Sequence, residues 1–292
     1  MRNADAWAAL LLFGLVASCS RPPTIVVASK NFTEQDILGE LIAQQIERAT
    51  DLRVERKFHL GGTFVCHEAL ISGQADVYVE YTGTALVAIL KEPVVADMDT
   101  ALTRVRVAYV QQFGAEWLSP LGFNNTFAMI IRRDVAEHLG LRTLSDIAPV
   151  AHGWRGGFGY EFIERADGFP GLAEAYGLSL ADAPRVMDLG LTYRALADSQ
   201  VDLIAGNSTD GLIDALGLVA LEDDRNYFPP YEAVPVVRSE VLIRHPEVRR
   251  ALEALAGTIS DSAMRRMNYL VDVEHRDVPV VVREFLSQLS PP

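Results

Sequence analysis

From Thr24 onward the chain alternates short β-branched runs with amphipathic stretches of helical period, and that alternation constrains the fold more than any other feature. Thr24-Ile25-Val26-Val27-Ala28 is a continuous apolar run of strand length. After Ser29-Lys30-Asn31, the residues Phe32, Ile37, Leu38, Leu41, Ile42 and Ile46 recur at helical spacing, with Thr33 placed to cap the helix. Leu52 to Phe58 predicts a second strand, Thr63 to Ile71 a helix and Ala75 to Val79 a third strand. This opening predicts a parallel sheet with helices on both faces. The alternation returns with strands at Phe127–Ile131, Val201–Ala205 and Val234–Val237 and helices at Leu191–Ala197 and Asp210–Leu216. The tail reads as three helices, Pro246–Ala256, Asp261–Val271 and Val278–Leu289. No flexible linker, repeat or low-complexity tract interrupts the chain, so the expected architecture is two α/β lobes with crossovers near Asn124–Thr126 and Pro229–Pro235. Residues 19–126 plus 232–292 are expected to form one lobe and 127–231 the other. In open α/β sheets ligands sit beyond the carboxyl ends of strands, so the segments that follow each strand are the candidate site.

The N-terminus points outside the cytoplasm. The apolar run Ala6 to Ala17 is too short for the ~20 residues of a membrane-spanning helix, but it has the length of a signal-peptide core. It ends in small residues before a cysteine, Val16-Ala17-Ser18-Cys19, which resembles a lipobox. Residues 1–18 are therefore expected to be a lipoprotein signal peptide and Cys19 the lipid attachment site, on a periplasmic or cell-surface membrane; simple cleavage of a secretory peptide is the alternative. The only other cysteine, Cys66, then has no disulfide partner, and the fold must rest on its apolar core. The net charge of −13 disfavours nucleic-acid binding, which needs a basic footprint, and suits a cationic ligand through long-range attraction.

Seven post-strand segments carry a resemblance. In order they are Ser29-Lys30-Asn31-Phe32-Thr33-Glu34-Gln35, Gly61-Gly62-Thr63, Val77-Tyr78-Val79-Glu80-Tyr81-Thr82-Gly83-Thr84, Asn124-Asn125-Thr126, Asp167-Gly168-Phe169-Pro170-Gly171, Ser208-Thr209-Asp210-Gly211 and Phe228-Pro229-Pro230-Tyr231. Together, from about Thr24 to Leu289, they resemble the glycine betaine, choline and carnitine binding proteins of osmoprotectant ABC transporters. The resemblance implies the type II periplasmic-binding fold, two α/β lobes with two crossovers and a ligand cleft between them. It also implies an ABC permease and its ATPase as partners, a membrane lipid anchor and no cofactor; the chain is expected to act as a monomer.

A trimethylammonium group is cationic but has no N–H to donate, so aromatic faces hold it, each worth roughly 0.5–2 kcal/mol. Relatives enclose it with tyrosines at four motif positions, which correspond here to Tyr81, Phe127, Asn207 and Tyr231. Two tyrosines are kept, Phe127 keeps the ring without the hydroxyl, and Asn207 has no ring. Position after strands adds Ser29, Asn31 and Thr84 as donors to a ligand carboxylate or hydroxyl, and Asp210 as a counter-charge or a helix cap. Glu34 is expected to stabilise its helix start.

Other chemistry is poorly supported. Cys66-His67 and His59 lack the spacing of a zinc helix, Gly206-Asn207-Ser208-Thr209-Asp210 fails as a nucleophile elbow, and Gly153–Gly159 lacks a phosphate-loop lysine. Trp154 in that loop is a candidate for the cleft wall and Trp117 for the core. No catalytic set or metal site emerges. The expected function is capture of glycine betaine, choline or a similar osmolyte by lobe closure; another small amine or zwitterion, or a sensor component, is the alternative.

Overall fold

The computed structural model describes residues 24–289; the segment containing Cys19 lies outside the described residues. Among the described residues ten strands form two five-stranded sheets. The first, in the order β2-β1-β3-β10-β4, comprises β1 (Thr24–Lys30), β2 (Arg53–Gly61), β3 (Val77–Tyr81), β4 (Ala115–Trp117) and β10 (Ala233–Arg238). The second, in the order β7-β6-β8-β5-β9, comprises β5 (Phe127–Arg132), β6 (Gly156–Phe158), β7 (Arg185–Val186), β8 (Leu203–Asn207) and β9 (Leu218–Ala220). The chain passes between the sheets twice, after β4 and again before β10, which gives the two-lobe type II architecture.

Neither sheet is all-parallel as the βαβ pattern predicts. β1 pairs in parallel with β2 and β3, but β10 returns from the second lobe and enters antiparallel to β3 and β4. In the second sheet β5 runs antiparallel to β8 and β9, while β6 is parallel to β7 and β8.

Each sheet buries both faces, and strand alternation assigns side chains to them. Val77, Val79 and Tyr81 of β3 join the core beneath α1 (Thr33–Ala49), whereas Tyr78 joins a second core with α2 (Thr63–Ile71) and the Met98–Phe113 helix. β8 divides likewise, with Leu203 and Ala205 on one side and Ile204 on the other. Ile37, Leu38, Leu41, Ile42 and Ile46 of α1 are fully buried. Truncating any one of them to alanine is of the kind that costs ~2–5 kcal/mol. Trp117 is core, and Trp154 packs partly buried against the second-lobe core, outside the cleft lining.

Thr33 is not the expected cap. Phe32 holds the N-cap position without a side-chain bond, and the Thr33 hydroxyl donates instead to Asp272 Oδ1 at 2.6 Å. The Met98–Phe113 helix, not among the elements expected from the sequence, buries Ala101, Leu102, Val105, Ala108 and Tyr109 at helical spacing and is capped by Asp97, whose carboxylate accepts from the Thr100 N–H.

Candidate functional site

A cavity of about 800 Å³ lies between the lobes where β1, β3 and β8 end and β5 begins. Of the residues singled out by sequence, Asn31, Tyr81, Thr84, Phe127, Asn207, Asp210 and Tyr231 line it. Ser29 does not: it is buried within its lobe, where its hydroxyl donates to Asp36 Oδ1 (2.7 Å) and accepts from the His59 N–H (2.8 Å).

The aromatic groups are held at their edges. The Tyr81 hydroxyl donates to Glu34 Oε1 at 2.6 Å and the Tyr231 hydroxyl to Asp167 Oδ2 at 2.6 Å. Tyr231 lies close over the Tyr81–Thr84 turn because Gly83 has no side chain: a Cβ there would stand 2.7 Å from the Pro230 carbonyl oxygen and 2.9 Å from the Tyr231 ring. Phe127 meets Tyr231 edge to face at 5.5 Å between ring centroids and Phe162 at 4.8 Å. Asn207 is paired directly with Phe127 across β8 and β5, so the amide and the ring are neighbours on one face.

Two buried ion pairs, which post-strand position alone does not pick out, flank these rings. Lys30 Nζ donates to Glu80 Oε1 (2.5 Å) and to Thr63 Oγ1 (3.0 Å) and stands 5.1 Å from the Tyr81 ring centroid. Glu80 also accepts from the Tyr81 N–H and the Tyr78 hydroxyl. Arg165 grips Asp167 with two hydrogen bonds (2.8 and 2.5 Å), donates to Thr84 Oγ1 (3.2 Å) and lies 5.3 Å from the Phe127 ring centroid. Burial alone would lower the Arg165 pKa, but the Asp167 bonds and charge hold it above its ordinary value. A sequence signal exists for both: single charges within otherwise apolar strands β1 and β3, and the Arg165-x-Asp167 spacing.

Glu34 does not act as a solvated helix-start charge. It is 3% exposed and accepts from Tyr81, Asn125 (2.7 Å), Thr209 (2.5 Å) and Asn268 (3.1 Å). Burial raises its pKa, with these four bonds opposing. Asp210 accepts from the Leu212 N–H at a helix start, the capping role, and also lines the cavity. Burial pushes its carboxyl up to about 7; the Tyr193 hydroxyl bond opposes this, while the charges of Asp272 and Glu34 add to it.

Several contacts cross the cleft, among them Asn268 Nδ2 donating to the Thr209 backbone oxygen at 3.0 Å. Thr209 reaches Glu34, Arg165 reaches Thr84, and Glu161 Oε1 accepts from the Thr63 N–H at the start of α2 (2.6 Å). That last contact needs Gly62, whose backbone conformation (φ −78°) any residue adopts but whose Cβ would fall 2.1 Å from Glu161 Oε1. Cys66 is buried with its thiol pushed up to about 12 by burial, which leaves it unreactive. Among the described residues no group of His, Cys, Asp and Glu could hold a metal, and no helix is long and apolar enough to cross a membrane.

Residues 23–288 match the family described as the substrate binding domain of ABC-type glycine betaine transport systems. The carnitine transport binding protein OpuCC of Listeria monocytogenes is 34% identical over 282 residues, covering 94% of this chain and 91% of the relative. The glycine-betaine-binding protein of Pseudomonas aeruginosa is 35% identical over 284 residues, 93% of this chain and 90% of that one. The ergothioneine transport permease/ergothioneine binding protein EgtU of Helicobacter pylori is 36% identical over 267 residues, 91% of this chain but 48% of that longer protein. A crystal structure of a glycine betaine/carnitine/choline ABC transporter protein superposes with a TM-score of 0.75 at 33% identity, covering 90% of this chain and 98% of the other. These relatives bind transported solutes and are not enzymes. The chain belongs to this family of ABC-transporter substrate-binding proteins.

Proposed function

We propose that the protein captures a zwitterionic quaternary amine, of the betaine and carnitine type, and delivers it to an ABC permease. The observation that carries this reading is one cavity lined both by aromatic rings and by cationic and hydroxyl groups. Tyr81, Phe127 and Tyr231 offer ring faces to a trimethylammonium group, while Lys30, Thr84 and Arg165 supply the cationic and hydroxyl groups that a carboxylate needs. Choline has the first group and not the second. Carnitine and glycine betaine, for which two of the relatives are named, have both. The Lys30 and Arg165 charges are balanced by Glu80 and Asp167, so toward a ligand carboxylate these side chains act as fixed hydrogen-bond donors.

Calorimetry with glycine betaine, carnitine and choline tests this. The first two should bind, and choline at least about tenfold more weakly. Choline binding as tightly as the betaines would remove carboxylate recognition from the reading. A lipid anchor at Cys19 completes the proposal: Cys19→Ser should move the protein from the membrane to the soluble fraction, and unchanged retention counts against an anchor there.

A further inference from the structure

β1 and β2 pair in steady parallel register from Thr24↔Arg53 to Ala28↔Lys57, and then the register jumps. The next pair is Lys30↔Gly61, two steps along β1 against four along β2, so β2 bulges beside the end of β1. The bulge holds His59 in the left-handed region at φ 58° and Gly61 at φ 153°, where a side chain would be strained. The Asn31 N–H closes it by donating to the Gly61 carbonyl oxygen at 3.0 Å. This path starts α2 over the Lys30 ammonium. Thr63, 1% exposed, is the first residue of that helix, and Gly62 holds the N-cap position without a side-chain bond. The Thr63 hydroxyl is turned to Lys30 instead and accepts from its Nζ at 3.0 Å, while the Thr63 backbone N–H donates to Glu161 Oε1 of the other lobe.

A lysine ammonium is a point charge with three N–H donors on a flexible four-carbon stem. Glu80 on β3 takes one donor of Lys30 and Thr63 on α2 takes a second, which leaves the third for the cavity that Lys30 lines. Two bonds to fixed points on different elements locate Nζ. With Glu80 alone the charge would still be balanced, but the ammonium could swing on its stem and its remaining donors would lose their aim. We propose that Thr63 is a positioning residue for solute recognition: its hydroxyl sets the Lys30 ammonium where a ligand carboxylate meets it. Thr63 thereby raises the preference for amines that carry a carboxylate over those that do not, without touching the ammonium end of the ligand. The proposal rests on the zwitterion reading above and adds to it the residue that gives Lys30 its selectivity. It also gives the Gly61-Gly62-Thr63 motif a purpose, since the bulge and the glycine corner bring that hydroxyl to Lys30.

The test is calorimetry with glycine betaine and choline on the natural sequence and on Thr63→Val, Thr63→Ala and Thr63→Ser, with the ratio of the two affinities as the readout. Thr63→Val and Thr63→Ala keep the backbone bond to Glu161 and remove the acceptor from Lys30. Glycine betaine should weaken about tenfold in both, and choline by less than about twofold. Thr63→Ser restores the acceptor and should keep the natural ratio. Glu161→Gln alters only the backbone bond and should weaken both compounds alike. Both compounds weakening together in Thr63→Val and Thr63→Ala, with the ratio unmoved, would leave Thr63 a purely structural role and overturn the inference while the zwitterion reading stands. A ratio lost equally in Thr63→Ser would also overturn it, because the effect would then belong to the methyl group. Choline bound as tightly as glycine betaine by the natural sequence would overturn the zwitterion reading and the inference with it.

Discussion

The two buried ion pairs look alike and are anchored differently. Each joins a cation to a carboxylate with almost no solvent exposure, each sends a further N–H to a threonine, and each touches a tyrosine of the site. Lys30, Glu80, Thr63 and Tyr81 all belong to the β1–β3 side of the cleft, so that pair is complete within one lobe. Arg165 and Asp167 sit in the second lobe, but their partners Thr84 and Tyr231 lie in the first lobe and at the second crossover. Both pairs close within one lobe, but the further partners of the first stay in that lobe and those of the second lie across the cleft. Burying a charge is tolerable only beside its counter-charge, so removing either cation has a large effect, but the two removals should be felt in different measurements.

Lys30→Met should lower the stability of the ligand-free protein by about 3–5 kcal/mol, because Glu80 is left uncompensated. Thermal unfolding reads this, and Lys30→Met with Glu80→Leu should recover most of the loss. Arg165→Met should destabilise comparably through Asp167, yet unlike Lys30→Met it should also abolish closure, seen as no ligand-induced compaction in small-angle scattering. Equal effects of the two on closure would erase the distinction drawn between the pairs.

Asp210 sharpens the comparison because it has no ion-pair partner among the described residues. Its folded pKa of about 7 is above the unfolded value near 3.8, so the folded state binds the proton more tightly. Stability contributed by that proton is present at low pH and lost as pH rises through about 7, with Glu34 acting in the same direction. Asp210→Asn should flatten this slope and raise stability near pH 8 by up to a few kcal/mol, with little change at pH 4, as chemical denaturation at the two pH values will show. A slope that persists in the variant assigns it elsewhere.

The tyrosines give a smaller effect. Tyr81→Phe leaves Glu34 three of its four donors, so it should cost about 1 kcal/mol of stability. Tyr231→Phe removes the link between Asp167 and the crossover and should act more on affinity than on melting temperature. Smallest is Glu161→Gln, which weakens a charge-assisted bond to a helix N-terminus by about 0.5–1 kcal/mol and should show as faster ligand release in stopped flow.

Much of this was legible in the sequence because the family's motifs fall where strands end. Tyr81, Phe127, Asn207 and Tyr231 all reach one cavity, and the αβ alternation locates most elements to within a few residues. What was not legible depends on direction and on distant partners. Strand alternation turns Ser29 toward Asp36 and Lys30 toward Glu80, so the choice of Ser29 over Lys30 needed a face that β-branched composition does not reveal. Glu34 reads as an ordinary first-turn acid until Thr209 and Asn268, far along the chain, are seen to converge on it. The antiparallel entry of β10 likewise follows from a return crossover, which local periodicity does not encode.

Gly62 makes position 62 a dial on dwell time. The backbone there accepts any side chain and the crowding atom is the mobile end of Glu161, so Gly62→Ala disturbs neither lobe and only evicts that carboxylate from the α2 terminus. Cargo would still be recognised by the same rings and charges but would escape sooner. For a carrier that must hold its cargo until it meets a permease and then surrender it, a single methyl group at this glycine trades retention for ease of hand-off.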